Sequence, residues 1–444
     1  MLTRSIQIAS CLLVSSVAAV TWAAEPNSAW PQFRGPEGNG MVAQPHPLKW
    51  DKSTLAWSTT IPGGGWSSPV VAGTRVFLTS AVAADGSKPV GWGQGVQSMG
   101  SFFRSKPPTK PMSFQVHCVD LESGDLLWSK EVVSRKPAHK IHPSNSYATE
   151  SPITDGKNVY AYFASIGAVC AMDAEGKILW QKEVGEFPTA NDFGTGSSLA
   201  MLDGRLFIQC DNEKESFVCA LSADKGEEIW RVSRESRTSW SSPIVWTNKQ
   251  RSELVLCGSG FVTSYDPETG NVNWNLSGLG SAFSASPTSD SERIYFGNSA
   301  RTSRGPLVAV NAGAEGELDL DTINEKGVAW VQDSAGPGMA SPVAVAGHVY
   351  VLSRGILACH DAETGERVYR ERLPNASSVT ASLWAMGDKV FALNESGETT
   401  VVKAGGEFEL IGSNQLDGLF WSTPSAANES LLIRDAADLH CVRN

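Results

Sequence analysis

Apolar positions along the chain fall in short alternating runs, such as Asn158-Val-Tyr-Ala-Tyr162 and His348-Val-Tyr-Val-Leu352. A two-residue period predicts strands with one face turned to a core. Each run sits between two recurring polar elements. One is an Asp-x-x-Thr-Gly-type turn followed by a Trp strand: Asp120 to Trp128, Asp173 to Trp180, Ser222 to Trp230, Asp266 to Trp274 and Asp361 to Tyr369. Weaker copies run from Asn311 to Trp330, with an insertion, and from Lys403 to Leu410.

The other element is a Ser-Pro or Ser-Leu step, centred on Pro69, Pro152, Leu199, Pro243, Pro287, Pro342, Leu383 and Pro424. Four short strands with turn chemistry between them, repeated eight times, predict an all-β eight-bladed propeller over residues 50–444 with four-stranded antiparallel blades. The last copy stops after Cys441, before its Trp strand, and an orphan Trp57 strand near the N-terminus supplies it. That pairing closes the ring and removes two free edges.

The repeat decides the reading of Asp266 and Glu268. Two carboxylates two residues apart suggest a calcium loop, but the same frame recurs blade after blade. The Thr-Gly pair makes the turn and the Asp bonds its backbone. Trp57, Trp128, Trp180, Trp230, Trp274, Trp330 and Tyr369 are expected to pack between adjoining blades.

Composition narrows the function. The chain has 444 residues, 42 Gly, 15 Trp and a net charge of −11. No basic excess speaks for nucleic acid. Residues 1–23 carry Arg4, an apolar stretch from Ile6 to Val20 and small residues before Ala23, which predicts a signal peptide and a periplasmic or secreted protein with no transmembrane segment. Cys11 comes too early for a lipid-accepting cysteine, and residues 24–49 read as a leader. Of the remaining seven cysteines, Cys118, Cys359 and Cys441 fall at one strand position and Cys170 and Cys219 one residue earlier, which makes them buried hydrophobes in separate blades. Cys210 and Cys219 share a blade, and a disulfide across its hairpin is left open.

The Asp-x-x-Thr-Gly-x-x-x-Trp frame resembles the docking motif of the PQQ-like β-propeller repeat family. The segment from Trp30 to Gly40 is similar to the leader of exported propellers found in planctomycete-like bacteria. Three branches are implied: quinoprotein dehydrogenases that hold PQQ and calcium over the axis, BamB-like outer-membrane protein assembly factors without catalysis, and sensor or binding propellers. Quinoproteins commonly carry two adjacent cysteines under the cofactor, and no such pair occurs here, so no cofactor is the expectation.

Propeller topology puts the Asp-x-x-Thr-Gly turns on one face, the bottom, and the long insertions on the other, the top. Those insertions are Ala81–Ser113, Lys130–Ala148, Gly185–Gly196 and Ser299–Gly305. Loops that depart from a rigid scaffold carry function. At the channel mouth, aligned positions hold Trp66, Trp240 and Trp421, a candidate aromatic platform, and Glu150 is the single charge in its ring. His142 and Asn145 lie in the adjoining insertion. The expectation is a monomeric, non-catalytic scaffold that binds a protein partner or small ligand with Trp66, Glu150, Trp240, Trp421, His142 and Asn145. No catalytic or metal residue is assigned.

Overall fold

The structure is a computed structural model that describes residues 29–43, 45–89, 106–299, 304–324, 326–376 and 378–443. The expected signal peptide and the centre of the Ala81–Ser113 insertion lie outside them. The chain forms eight sheets, each with four antiparallel strands A to D, arranged as a propeller. The A strands of neighbouring blades touch one another and line the axis. Blade 8 takes its outer strand from the N-terminus: Leu55–Thr60 pairs with Asp438–Val442, with Trp57 opposite Cys441.

The strand register matches the cysteine reading. Cys118, Cys359 and Cys441 lie opposite Trp128, Tyr369 and Trp57. Cys170 and Cys219 sit one residue before the partners of Trp180 and Trp230. The disulfide left open between Cys210 and Cys219 does not form. Cys210 lies opposite Phe217 and Cys219 opposite Ile208, and both thiols are free. Two insertions are shorter than their sequence suggests, because strands extend into them. The ladder of blade 1 runs on to Val82 and Ser113, and strand D continues to Arg135.

Docking between blades is a hydrogen bond as well as a contact. The indole N–H groups of Trp57, Trp128, Trp180 and Trp330 donate to the carbonyls of Leu121, Ala174, Ala223 and Ala362 in the next blade, at 2.8–3.1 Å. Each ring lies on the turn glycine there. A Cβ on Gly226 would stand 2.6 Å from the Trp180 ring, so the turn needs Gly for its positive φ and for this close approach.

Trp274 departs from the pattern. The blade 5 insertion adds a strand, Gly316–Leu318, parallel to strand D of blade 4, with Gly316 beside Trp274. This covers the indole completely, and its N–H turns inward to Glu253 at 2.8 Å. Blade 7 carries Gly412 where the other blades carry the aromatic. There Trp50 from the N-terminal segment enters the core shared by blades 7 and 8, held by Asn414.

Two further devices lock the ring. The residue before each Pro or Leu step is Ser or Thr, and from blade 2 to blade 8 its hydroxyl accepts from the backbone N–H of the preceding blade. The chain runs from Ser68 through Ser151, Ser198, Ser242, Ser286, Ser341 and Ser382 to Thr423. Below it, residues 29–43 cross the channel floor. Trp30 bridges to Val71 in blade 1, Thr154 of blade 2 donates to Pro31, and Met41–Val42 pairs with strand A of blade 7. Arg34, fully buried, points up the axis and donates to the carbonyls of Pro287, Asn39 and Pro342.

Candidate functional site

The top-face loops of blades 1 to 4 build one connected region. Asn145 organises the first linker: its Oδ1 accepts from Ser146, Tyr147 and Thr149, and its Nδ2 donates to the carbonyls of Phe193 and Thr195 in the next linker. Tyr147 takes a positive φ of 60° there, and its hydroxyl returns to the carbonyl of His139. His142 is buried, with Nδ1 on the Ser144 hydroxyl and its ring against Phe193. Burial lowers its pKa, which keeps the ring neutral at pH 7.

The three tryptophans divide into two groups. Trp66 and Trp421 stack with centroids 5.5 Å apart and planes at 24°. The Trp66 indole donates to the carbonyl of Ser144, and the Trp421 indole to the carboxylate of Glu395. Trp240 stands edge-on to Phe193 and donates to the carbonyl of Gly194. All three rings are therefore fixed by the loops they meet, and Trp66 is itself buried.

Glu150 is 1% exposed, and neither of its carboxylate oxygens has a partner in hydrogen-bonding geometry. Burial pushes its carboxyl up to about 7, with the Thr195 hydroxyl and nearby main chain pulling partly the other way. The His142 imidazole of the adjoining insertion is engaged with Ser144.

Beside Glu150, a narrow crevice of about 20 Å³ opens among blades 2, 3 and 4. Tyr162, Thr195, Ser197, Gln209, Asp211 and Thr238 are among its walls. One wall is held by a buried ion pair: Arg234 Nε donates to Asp211 Oδ1 at 2.8 Å, with both side chains fully inaccessible. Burial opposes the guanidinium charge, but Asp211 and Tyr265 outweigh it and hold its pKa above the ordinary value. Gln209 donates to Asp211 and to the carbonyl of Cys257, which leaves its Oε1 unpartnered, as is the Ser197 hydroxyl. A crevice of this size with unpartnered acceptors on a locked wall suits a water or the tip of a partner side chain that donates hydrogen bonds.

Sequence reasoning did not single out Gln209, Asp211 and Arg234. The available signal was the polar run Gln209–Asn212 closing an otherwise apolar strand. The serine ladder was visible as a repeat but not as a set of hydrogen bonds between blades.

The comparisons agree with this architecture. A family profile described as outer membrane protein assembly factor BamB matches residues 88–239 and 258–410. The outer membrane protein assembly factor BamB of Yersinia pestis is 24% identical over 210 residues, 43% of this chain and 49% of that protein. The chain thus spans about half the length of the curated relative it matches. Among solved structures, BamB from Moraxella catarrhalis superposes with a TM-score of 0.55 at 12% identity, over 77% of this chain and 96% of that one. A europium-containing methanol dehydrogenase gives 0.58 at 11% identity, over 92% and 89%. A quinohemoprotein alcohol dehydrogenase from Comamonas testosteroni gives 0.57 at 12%, over 94% and 81%. At these identities the structural matches establish the fold. With the profile covering more than half of its residues, the chain belongs to the BamB-type family of PQQ-like β-propellers.

Proposed function

We propose that the protein is an exported, non-catalytic propeller that binds a protein partner or small ligand through its top face. The crevice between blades 2 and 4 carries this reading, because its walls are fixed in advance while Gln209 Oε1 and the Ser197 hydroxyl have no hydrogen-bond partner within the protein. Pre-organised walls lower the entropy cost of binding. The family match and the Yersinia pestis relative favour envelope assembly as the setting, with a protein as the partner.

The quinone-dependent alternative fits less well. Among the described residues no three His, Cys, Asp or Glu side chains converge. Glu150, the one carboxylate of its ring, is sealed from solvent. That donor set does not suit a calcium ion beneath a quinone.

Photo-cross-linking residues at Lys214 and Arg237 on the top face, and at Glu122 and Glu268 on the bottom, test the reading in cells. Adducts confined to the top positions are expected. Equal labelling of both faces would sink it, as would dye-linked alcohol oxidation after addition of PQQ and calcium.

A further inference from the structure

Outside the top-face crevice, a cleft of about 180 Å³ opens on the flank between blades 5 and 6. Arg304, Arg367 and Arg370 line it, with Asp333 as the single carboxylate. Among the described residues none of these three guanidiniums is ion-paired with a carboxylate. In a chain with a net charge of −11, such a cluster runs against the general field. Like charges at close range repel unless an anion lies between them. Burial, followed by the nearby Arg370 and Arg354, holds the Arg304 pKa below the ordinary value.

Blade 6 explains how the cluster forms. In its register Arg370 lies opposite Ala358 and Arg367 opposite His360, so both arginines stand on the face that carries Ala358 and His360 into the cleft. Arg304 enters from blade 5 and is tied to the carbonyl of Ser353.

The cleft wall also holds two unsatisfied polar atoms. His360 is 2% exposed, and its Nδ1 lies 2.9 Å from the carbonyl of Gly365. A carbonyl only accepts, so Nδ1 bears the proton and Nε2 presents a lone pair. Nε2 has no partner, and neither does the buried Ser353 hydroxyl. Arginines alone would fit any anion. The buried acceptor His360 Nε2 adds a demand for a hydrogen-bond donor on the same ligand.

We infer that this cleft binds a hydroxylated phosphate ester of the sugar phosphate type. Its phosphoryl oxygens take the guanidinium forks of Arg367, Arg370 and Arg304, and a hydroxyl donates to His360 Nε2. Planar guanidiniums bind phosphate bidentately and more specifically than ammonium groups do. A free sugar phosphate and the phosphorylated sugar of a lipid headgroup present this same chemistry.

Calorimetric titration of the full chain with glucose 6-phosphate, glucose and inorganic phosphate tests the inference. A parallel arm uses phosphatidylcholine vesicles with and without phosphatidylinositol 4-phosphate. Saturable binding of glucose 6-phosphate, roughly tenfold tighter than inorganic phosphate, is expected, with no binding of glucose. The double variant R367A/R370A should weaken it by at least about tenfold. Both side chains are exposed, so this variant should keep its fold, as an unchanged circular dichroism spectrum would confirm. Binding to the phosphoinositide vesicles alone, lost in the same variant, identifies a headgroup as the source and also supports the inference. It is overturned if neither arm binds, if binding survives R367A/R370A, or if inorganic phosphate binds as tightly as the ester.

Discussion

Arg34 reaches across 253 residues of sequence to donate a 2.6 Å hydrogen bond to the carbonyl of Pro287. The same guanidinium serves Asn39 and Pro342, and no carboxylate is among these partners. Removing it strands the buried carbonyls of Pro287 and Pro342, leaves Asn39 with the Thr288 hydroxyl alone, and opens a cavity on the axis. Arg34→Ala is expected to cost about 3 kcal/mol, read as a lower urea midpoint at unchanged slope. A change below about 0.5 kcal/mol, the range of ordinary surface substitutions, would mean that the floor segment is not anchored through this residue.

Glu150 gives a pH dependence of definite sign. Its folded pKa is raised from 4.5 to about 7 by burial. The folded protein therefore binds a proton more tightly than the unfolded chain does, and stability falls as pH rises. The penalty is absent below about pH 4.5, grows through the interval and is complete above about pH 7. Glu150→Gln removes the titration. The variant should match the parent near pH 4.5 and exceed it by up to roughly 3 kcal/mol at pH 8. Parallel stability profiles for the two proteins would contradict this account of the site.

The serine ladder can be tested at one rung. Ser242 accepts from the N–H of Ser198 at 2.9 Å, and both residues are buried. Ser242→Ala leaves that N–H without a partner and should destabilise by about 1–2 kcal/mol. Ser242→Thr keeps the oxygen, since Thr423 already serves at this position in blade 8. Thermal midpoints should rank parent, Thr and Ala in that order, with the Thr variant close to the parent.

Two turn glycines of blade 3 separate backbone strain from docking. Gly204 and Gly226 have φ of 72° and 67°, so alanine is strained at either. A Cβ at Gly204 meets nothing within 4 Å, whereas one at Gly226 runs into the Trp180 ring. Gly204→Ala should cost about 1 kcal/mol. Gly226→Ala should cost a further 1–3 kcal/mol, roughly the penalty of overpacking. Equal losses would show that the indole does not bear on the turn.

The fold was legible because its determinants are local and repeated. An Asp bonding its own turn, a Gly at positive φ and a Trp four residues on state the same geometry in blade after blade. Even the one-residue offset of Cys170 and Cys219 could be read, because they stand three residues before the turn residues Asp173 and Ser222, whereas Cys118 and Cys359 stand two before Asp120 and Asp361. Residues whose partners lie far away were not legible. Nothing around Arg34 announces Pro287 or Pro342, and nothing around Trp50 announces the vacant aromatic position at Gly412. Trp274 looks like its counterparts in sequence. Its different environment comes from an insertion some forty residues downstream. At the candidate site, Trp66, Trp240 and Trp421 were visible by alignment, but their division into a stacked pair and a separate ring depends on which linker each one meets.

The channel floor has a consequence for the order of folding. Residues 30–42 make their bonds to blades 1, 2, 5, 6 and 7. A chain emerging N-terminus first therefore has nowhere to place Trp30 to Val42 until most of the ring has been synthesised. Contacts of such long sequence separation form slowly. Pulse-labelled hydrogen exchange during refolding should find the amides of Gly40 and Val71 protected after those of the blade hairpins. A segment made before every blade is the last to be committed, and until then the half-built ring has an open floor.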